Sequence, residues 1–157
     1  MHQGSINLEN EQKVEQTIIV RYAETDADVV AIHGFLCVVA GPTLPGVIDP
    51  KDSATEVWRI VNHDVALMAI KEDRVVGTIG LVNPRFWWNS KLSFLANCWL
   101  FTLPDSGSLL PLMREAVGIA KASGLELHIF DETKERLLIF NKSKKRQPAF
   151  ANAPKSS

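Results

Sequence analysis

The chain has 157 residues, of which 46% are hydrophobic and 22% are charged, as in ordinary soluble proteins of one domain. Its net charge of −1 creates no field that would attract nucleic acid or an anionic membrane, so neither is expected as a partner. Both cysteines lie inside apolar runs, no run reaches the roughly 18 to 20 apolar residues that span a bilayer, and the polar N-terminus lacks a secretory signal, so we expect a reduced, cytoplasmic protein.

The first part of the chain predicts a strand and two helices. Residues 1–15 have few apolar positions and are expected to form a flexible leader. The β-rich run 17–22 predicts the first strand, and Thr25 or Asp26 can cap the helix that follows it. After a loop rich in Gly and Pro, residues 52–62 carry apolar side chains at helical spacing, which predicts a second helix.

The middle of the chain predicts three strands. The β-rich runs 65–70 and 75–82 are separated by four polar residues, which is typical of a hairpin. An aromatic loop that begins at Pro84 follows, and residues 92–102 form a third long β-rich run that can pair with the second strand of the hairpin. These three strands predict an antiparallel meander at the centre of the fold.

The end of the chain predicts a helix, a strand and a last helix. An amphipathic pattern over 108–123 ends at Gly124, a residue type that favours helix termination. A strand over 125–130 and a helix over 132–142 follow. The predicted order is β-α-α-β-β-β-α-β-α, a single mixed α/β domain over 16–146 with a βαβ unit near its end, followed by a tail over 147–157.

Four segments in this order resemble the GNAT family of acyl-CoA-dependent N-acetyltransferases. In chain order they are IIVRYAETDADVVAI, VALMAIKEDRVVGTIGLV, CWLFTLP and SGSLLPLMREAVGIAKASGLELHIF. They resemble the opening strand and helix of the family, its hairpin, its cofactor strand, and its cofactor helix with the next strand. The resemblance covers about residues 17–145 and implies a GNAT-like fold with acetyl-CoA as the acyl donor.

The resemblance also implies a place for the donor, in a V between the cofactor strand and the cofactor helix. The main-chain groups expected to pair with the pantetheine arm are those of Leu100, Phe101 and Thr102. The N–H groups expected to face the pyrophosphate are those of Ser106, Gly107, Ser108 and Leu109. A helix N-terminus suits this purpose, because its N–H groups lack partners and its dipole is positive.

The chain departs from the family at this turn. The family signature is R/Q-x-x-G-x-G/A, and here Gly107 stands at the first glycine while Leu109 replaces the second small residue. The loop is about three residues short, and the Arg or Gln position is missing. The alternative is therefore that the turn only caps a helix and that the domain binds no phosphate.

Candidate catalytic groups are few. Asn97, on the cofactor strand, has the chemistry to orient a water molecule, and Asp131, at the end of the following strand, is a candidate carboxylate base. In the family a Tyr in the last helix commonly protonates the departing thiolate. The corresponding register runs from Thr133 to Phe140, so the phenol is replaced by a phenyl ring. No Cys or His cluster has metal-ligand spacing, so no metal is predicted.

The adjacent Trp87 and Trp88 are candidates for binding an acceptor or a partner, because the resemblance places their loop at the border of the acceptor pocket. The sequence thus predicts an N-acetyltransferase that transfers an acetyl group to a small-molecule or protein amine. The alternative is a GNAT-like module that has lost catalysis and serves in binding or structure. An exposed edge strand near the C-terminus could pair two copies into a homodimer.

Overall fold

The computed structural model describes residues 17–131 and 134–142, which form a six-stranded sheet with helices on both faces. The strands are β1 (Ile19–Tyr22), β2 (Val65–Lys71), β3 (Arg74–Val82), β4 (Phe94–Thr102), β5 (Glu126–Asp131) and β6 (Arg136–Phe140). The helices are α1 (Asp26–Val39), a short 3₁₀ turn (Gly41–Thr43), α2 (Pro50–His63) and α3 (Leu109–Ala122). The mixed α/β fold predicted from the sequence is confirmed.

The strands lie in the sheet in their chain order, β1-β2-β3-β4-β5-β6. Every neighbouring pair is antiparallel except β4 and β5, which are parallel and are connected through α3. The predicted meander is therefore present as β2-β3-β4, and the predicted βαβ unit as β4-α3-β5.

Two hydrophobic clusters lie on opposite faces of the sheet. Alternate residues of β2 belong to different clusters, Leu67 and Ala69 to one, Ala66 and Met68 to the other. The first cluster includes the buried face of α3, and the second includes the buried faces of α1 and α2. The sheet is thus covered by α3 on one face and by the helix pair on the other.

Local sequence explains how α1 begins. Thr25 accepts a hydrogen bond from the Asp28 N–H (3.1 Å), and the Asp28 carboxylate accepts from the Glu24 and Thr25 N–H groups, which completes a capping box. The same carboxylate receives both terminal nitrogens of Arg21 on β1, at 2.8 and 3.0 Å. This interaction joins the first strand to the first helix, and it holds the pKa of Asp28 well below its usual range.

The prediction of a helix over 132–142 is wrong, because residues Arg136–Phe140 form the strand β6, which is antiparallel to β5. The physical reason lies in the apolar run 137–140, which a helix would spread around most of its circumference. As a strand, this segment packs Leu138 and Phe140 against the α3 cluster and pairs its backbone with β5. Thr133, the predicted leader over 1–15 and the predicted tail over 147–157 lie outside the described residues.

None of the helices in the described part of the chain is long and apolar enough to cross a membrane.

Candidate functional site

A cleft opens between β4 and β5. The two strands pair only at their beginnings, where Phe94, Leu95 and Ala96 face Glu126, Leu127 and His128. Beyond Ala96, β4 remains paired with β3 as far as Thr102, but it no longer pairs with β5. The edge of β4 that faces β5 therefore has main-chain groups over 97–102 that no strand within residues 17–131 and 134–142 pairs with.

A β-bulge in β4 marks the point where the strands separate. Leu81 of β3 faces Asn97 and Gly80 faces Trp99, so Cys98 is the extra residue. A Cβ at position 80 would lie 2.7 Å from the Trp99 ring and 2.8 Å from the Cys98 Sγ, which shows that both side chains lie over Gly80. The Trp99 Nε1 donates to the Oγ1 of the fully buried Thr78 at 3.0 Å, and this bond fixes the bulge.

Asn97 bridges the cleft at its narrow end. Its Oδ1 accepts a hydrogen bond from the Phe130 N–H at 2.9 Å, and its Nδ2 donates to the Phe130 carbonyl at 3.5 Å. The amide thus occupies main-chain groups of β5 that the next β4 residue would use if the ladder continued. As a candidate catalytic group, Asn97 is located at the cleft, with its amide engaged by the backbone.

The turn between β4 and α3 is held by serine hydroxyls. The Ser106 hydroxyl donates to the Leu103 carbonyl at 2.7 Å and lies 2.7 Å from the Ser108 hydroxyl. The Ser108 hydroxyl is buried and donates to the Val76 carbonyl at 3.1 Å. Gly107 between them has a φ of +72°, a left-handed conformation that glycine adopts without strain. The two hydroxyls therefore stabilise the turn and anchor it to β3.

The first turn of α3 leaves main-chain donors free. Pro111 has no N–H, and the Leu112 N–H donates to the Ser108 carbonyl at 3.1 Å. The N–H groups of Leu109 and Leu110 have no acceptor among the residues that the structure describes. These donors lie at the positive end of the helix dipole, which favours an anion.

A cavity of about 530 Å³ lies at this turn. Its lining combines the end of β4, the turn, the first residues of α3 and one residue of β6. The residues are Thr102, Leu103, Pro104, Asp105, Ser106, Gly107, Ser108, Leu109, Leu110, Met113 and Phe140. Five of the seven predicted cofactor residues thus meet at one cavity, whereas Leu100 and Phe101 lie further along β4, outside its lining.

The cavity is largely apolar and lacks a basic side chain. Asp105 is the only charged residue among those described in its lining, and it is exposed. Phe140 lines the cavity from β6, whereas the sequence had predicted that it lies in a last helix. Any anion bound here would depend on main-chain N–H groups, since no lining side chain supplies a positive charge.

Asp131 lies at the far end of β5, in the hairpin that leads to β6. Its carboxylate accepts a hydrogen bond from the Lys134 N–H at 3.4 Å and pairs with Arg136 at 3.6 Å. Asp131 is not among the residues that line the cavity. Its proposed role as a base stays a prediction.

The two tryptophans lie at the opposite end of β4. Their loop precedes Phe94, and the nine residues of β4 span about 26 Å at 3.3 Å per residue. Trp87 is 93% exposed, while Trp88 contacts Phe86, whose ring lies 5.5 Å from that of Phe94. A second cavity of about 390 Å³ adjoins Phe86 but includes neither tryptophan. The structure does not bring Trp87 and Trp88 together with the turn, and their acceptor role stays a prediction.

The remaining histidines near these elements have structural partners. His128 is buried, stacks on Phe94 with a ring separation of 3.9 Å, and contacts the Glu126 carboxylate at 2.9 Å. His33 lies 2.7 Å from the Ser53 hydroxyl, between α1 and α2. Within residues 17–131 and 134–142, no group of three or more His, Cys, Asp or Glu residues is arranged to hold a metal ion.

Sequence reasoning missed two features of the site. The sequence suggested a catalytic role for Asn97 and gave no sign of its structural one. Its hydrogen bond to Phe130 joins residues 33 positions apart, so it leaves no local signal in the sequence. The close packing at Gly77 was not predicted, although a Cβ there would lie 2.7 Å from the Ser108 Oγ. A glycine inside a β-rich run is a sign of close approach by another element, and that sign was present.

No protein-family model matches the sequence, and no curated protein matches it either. Solved structures do match. A GNAT family acetyltransferase of Staphylococcus aureus subsp. aureus is 17% identical, with a TM-score of 0.58, over 84% of this chain and 99% of that one. A predicted acetyltransferase of Clostridium acetobutylicum with acetyl-CoA is 14% identical, with a TM-score of 0.57, over 76% of this chain and 84% of that one.

An aminoglycoside 6'-N-acetyltransferase complexed with coenzyme A is 17% identical, with a TM-score of 0.55, over 71% of this chain and 60% of that one. Identities this low establish a common fold and nothing finer. The described part of the chain therefore has a divergent form of the fold of the GNAT acetyltransferases.

Proposed function

We propose that this protein is an N-acetyltransferase that uses acetyl-CoA and transfers the acetyl group to an amine. The observation that carries the proposal is the cavity at the end of β4, where five predicted cofactor residues meet the free N–H groups of Leu109 and Leu110. Two of the similar structures contain acetyl-CoA or coenzyme A, which supports the same ligand class here.

In this proposal the pyrophosphate lies at the turn and accepts hydrogen bonds from the main chain of Gly107, Leu109 and Leu110. The pantetheine arm follows the unpaired edge of β4 along Leu100, Phe101 and Thr102. The residues present fit this ligand through backbone groups, but they supply no positive side chain. Binding should therefore be weaker than at a site that also has an arginine.

The chemistry requires an uncharged amine. When bound, acetyl-CoA would supply a thioester carbonyl near Leu100 for the amine nitrogen to attack. The C–N bond would form, the C–S bond would break, the sulfur would leave as a thiolate, and the nitrogen would release its surplus proton to solvent. Phe140 has no proton to give, so in this proposal the thiolate takes its proton from solvent. A thiolate with a pKa of about 8.5 can leave in this way, at some loss of rate.

The acceptor we propose is an amine on a small molecule or on a protein. The similarity to an aminoglycoside acetyltransferase supports amine chemistry in this fold, without identifying the acceptor.

We also propose that the C-terminal edge pairs two copies, since β6 forms one edge of the described sheet. Sedimentation equilibrium would test this pairing. At about 100 μM protein, a dimer with a micromolar dissociation constant is almost fully formed, so a monomer at that concentration would argue against the pairing.

The first test is calorimetric titration with coenzyme A. We expect a dissociation constant in the micromolar range, roughly −8 kcal/mol, and a loss of at least about tenfold in affinity in Gly107→Glu, because the carboxylate would repel the pyrophosphate. Gly107→Gln is the matched control, since it places a side chain of about the same size at the same left-handed φ of +72° without the charge. A folded wild-type protein that gives no heat with millimolar coenzyme A would refute the proposal.

A second candidate is a module that binds coenzyme A without catalysis. The structure favours it, because residues Arg136–Phe140 form β6 instead of the last helix in which the resemblance places a phenol. Release of free thiol from acetyl-CoA in the presence of an amine panel separates the two. An enzyme releases thiol in proportion to amine, whereas a module that only binds keeps the donor intact.

A further inference from the structure

We infer that Asn97 forms the floor of the cleft between β4 and β5 and thereby limits the length of the acyl group that can enter it. This inference rests on the proposed function, since it concerns the donor bound along β4. The evidence is the hydrogen-bonded bridge between the Asn97 amide and the Phe130 backbone, at 2.9 and 3.5 Å.

The bridge lies at a defined depth. Ala96 faces His128 in the last parallel pair, so continued pairing would set Cys98 opposite Phe130. The Asn97 amide therefore closes the gap at the level of Cys98. A chain that enters from the open end of the V, beside Thr102, meets this amide before it reaches the paired part of the strands.

The bridge is held in place from both sides. On β4, the bulge at Cys98 is fixed by the bond from Trp99 to Thr78 and by the lack of a side chain at Gly80. On β5, Phe130 is paired with Leu137 of β6. A long acyl chain therefore cannot push the amide aside without breaking hydrogen bonds on the walls of the cleft.

The depth sets an upper limit on chain length. With the thioester near Leu100, two residues separate it from the level of the bridge, or about 7 Å at 3.3 Å per residue. Van der Waals contact takes about 4 Å of this. The remaining 3 Å holds about two carbon–carbon bonds, so acetyl and propionyl groups fit and an octanoyl group does not.

Removing the side chain extends the cleft to the pair of Ala96 and His128, about two residues or 7 Å deeper. Asn97→Ala should therefore admit an octanoyl group. Asn97→Leu keeps the branched shape of the side chain, at a larger volume, but loses both hydrogen bonds, so it should still reject the long chain while lowering the melting temperature. This pair of variants separates the size of the side chain from its contribution to stability.

The experiment is calorimetric titration of wild type, Asn97→Ala and Asn97→Leu with coenzyme A, acetyl-CoA, propionyl-CoA and octanoyl-CoA, with folding checked by circular dichroism. We expect wild type and Asn97→Leu to bind octanoyl-CoA about tenfold or more weakly than acetyl-CoA, and Asn97→Ala to bind both within about threefold. Equal affinity of wild type for the two, an unchanged preference in folded Asn97→Ala, or loss of the preference in Asn97→Leu would overturn the inference. If coenzyme A binds and only the preference fails, the proposed function stands, whereas absence of coenzyme A binding overturns both.

Discussion

Replacing Gly77 with alanine should displace the proposed phosphate site without touching it directly. Gly77 lies on β3, opposite Thr102, beneath the first turn of α3. An added Cβ would lie 2.7 Å from the Ser108 Oγ and 2.9 Å from the Leu112 Cδ1. Ordinary contacts need about 3.5 Å or more. The N-terminus of α3 must therefore retreat by roughly 0.8 Å, and the N–H groups of Leu109 and Leu110 move with it.

The cost in stability can be worked from these contacts. Overpacking costs about 1 to 3 kcal/mol, and weakening the bond from Ser108 to the Val76 carbonyl, now 3.1 Å, costs about 0.5 to 1.5 kcal/mol more. The lower entropy of the unfolded alanine chain offsets about 0.4 to 1 kcal/mol. The net loss is about 0.5 to 4 kcal/mol, or a drop in melting temperature of roughly 1 to 16 °C at about 2 to 4 °C per kcal/mol.

Gly118→Ala is the matched control, because it makes the same change inside α3 where a Cβ meets nothing within 4 Å. That variant should gain up to about 1 kcal/mol, since alanine favours a helix over glycine. Thermal unfolding and coenzyme A titration of both variants test the reasoning. We expect Gly77→Ala to lose stability and at least about tenfold in affinity. A Gly77→Ala protein with wild-type melting temperature and affinity would refute the close approach of Ser108 to β3.

Three further predictions follow from charged and reactive groups. Arg21 is the main reason that the pKa of Asp28 lies below its usual range, and two backbone N–H groups add to the effect. The ionised carboxylate therefore stabilises the fold fully above about pH 4, and this stabilisation is lost as the pH falls further. Asp28→Asn should therefore lower the free energy of unfolding by about 2 to 3 kcal/mol at pH 7, and the deficit should shrink towards pH 2 in denaturant titrations; a deficit independent of pH would contradict the assignment. Asp105→Asn should bind coenzyme A several-fold more tightly at low salt, because the variant lacks the carboxylate that repels the pyrophosphate. The advantage should disappear near 1 M salt, where charges are screened within about 3 Å. Unchanged affinity would mean that the pyrophosphate binds elsewhere. Although Cys98 is exposed at the surface, desolvation by its neighbours raises the pKa of its thiol to about 11. Its alkylation by iodoacetamide at pH 8, measured in Cys37→Ser, should therefore be slower than that of an ordinary thiol, and a normal rate would contradict the shift.

Local signals in the sequence predicted most of the fold. Thr25 or Asp26 was expected to cap the first helix, and Thr25 caps α1. The hairpin of β2 and β3 was expected from its polar turn, although the strands extend further, so only Glu72 and Asp73 remain in the turn, both with positive φ. These features are encoded within a few residues, which is why they can be read without knowledge of the rest of the chain.

The errors and omissions concern contacts between distant segments. Helix-favouring Lys and Glu precede the apolar run that begins at Leu137, and the strand is selected only because β5 and α3 provide a place to bury Leu138 and Phe140. The cavity at the turn could be predicted from the strand, glycine and helix pattern. The bridge from Asn97 to Phe130 could not, because it depends on where two strands separate in three dimensions.

The short parallel ladder between β4 and β5 has a consequence for local stability. Three residue pairs and the Asn97 bridge join β5 to β4, whereas β3 and β4 are paired over six positions. Since partial unfolding occurs where the fewest backbone bonds hold two units together, β5 and β6 should open as one cooperative unit while β1 to β4 stay folded. Their amide protons should then exchange with solvent faster than those of β3. A ligand that contacts both walls of the cleft would slow this exchange selectively, so the hairpin would report occupancy of the cleft even before an acceptor is known.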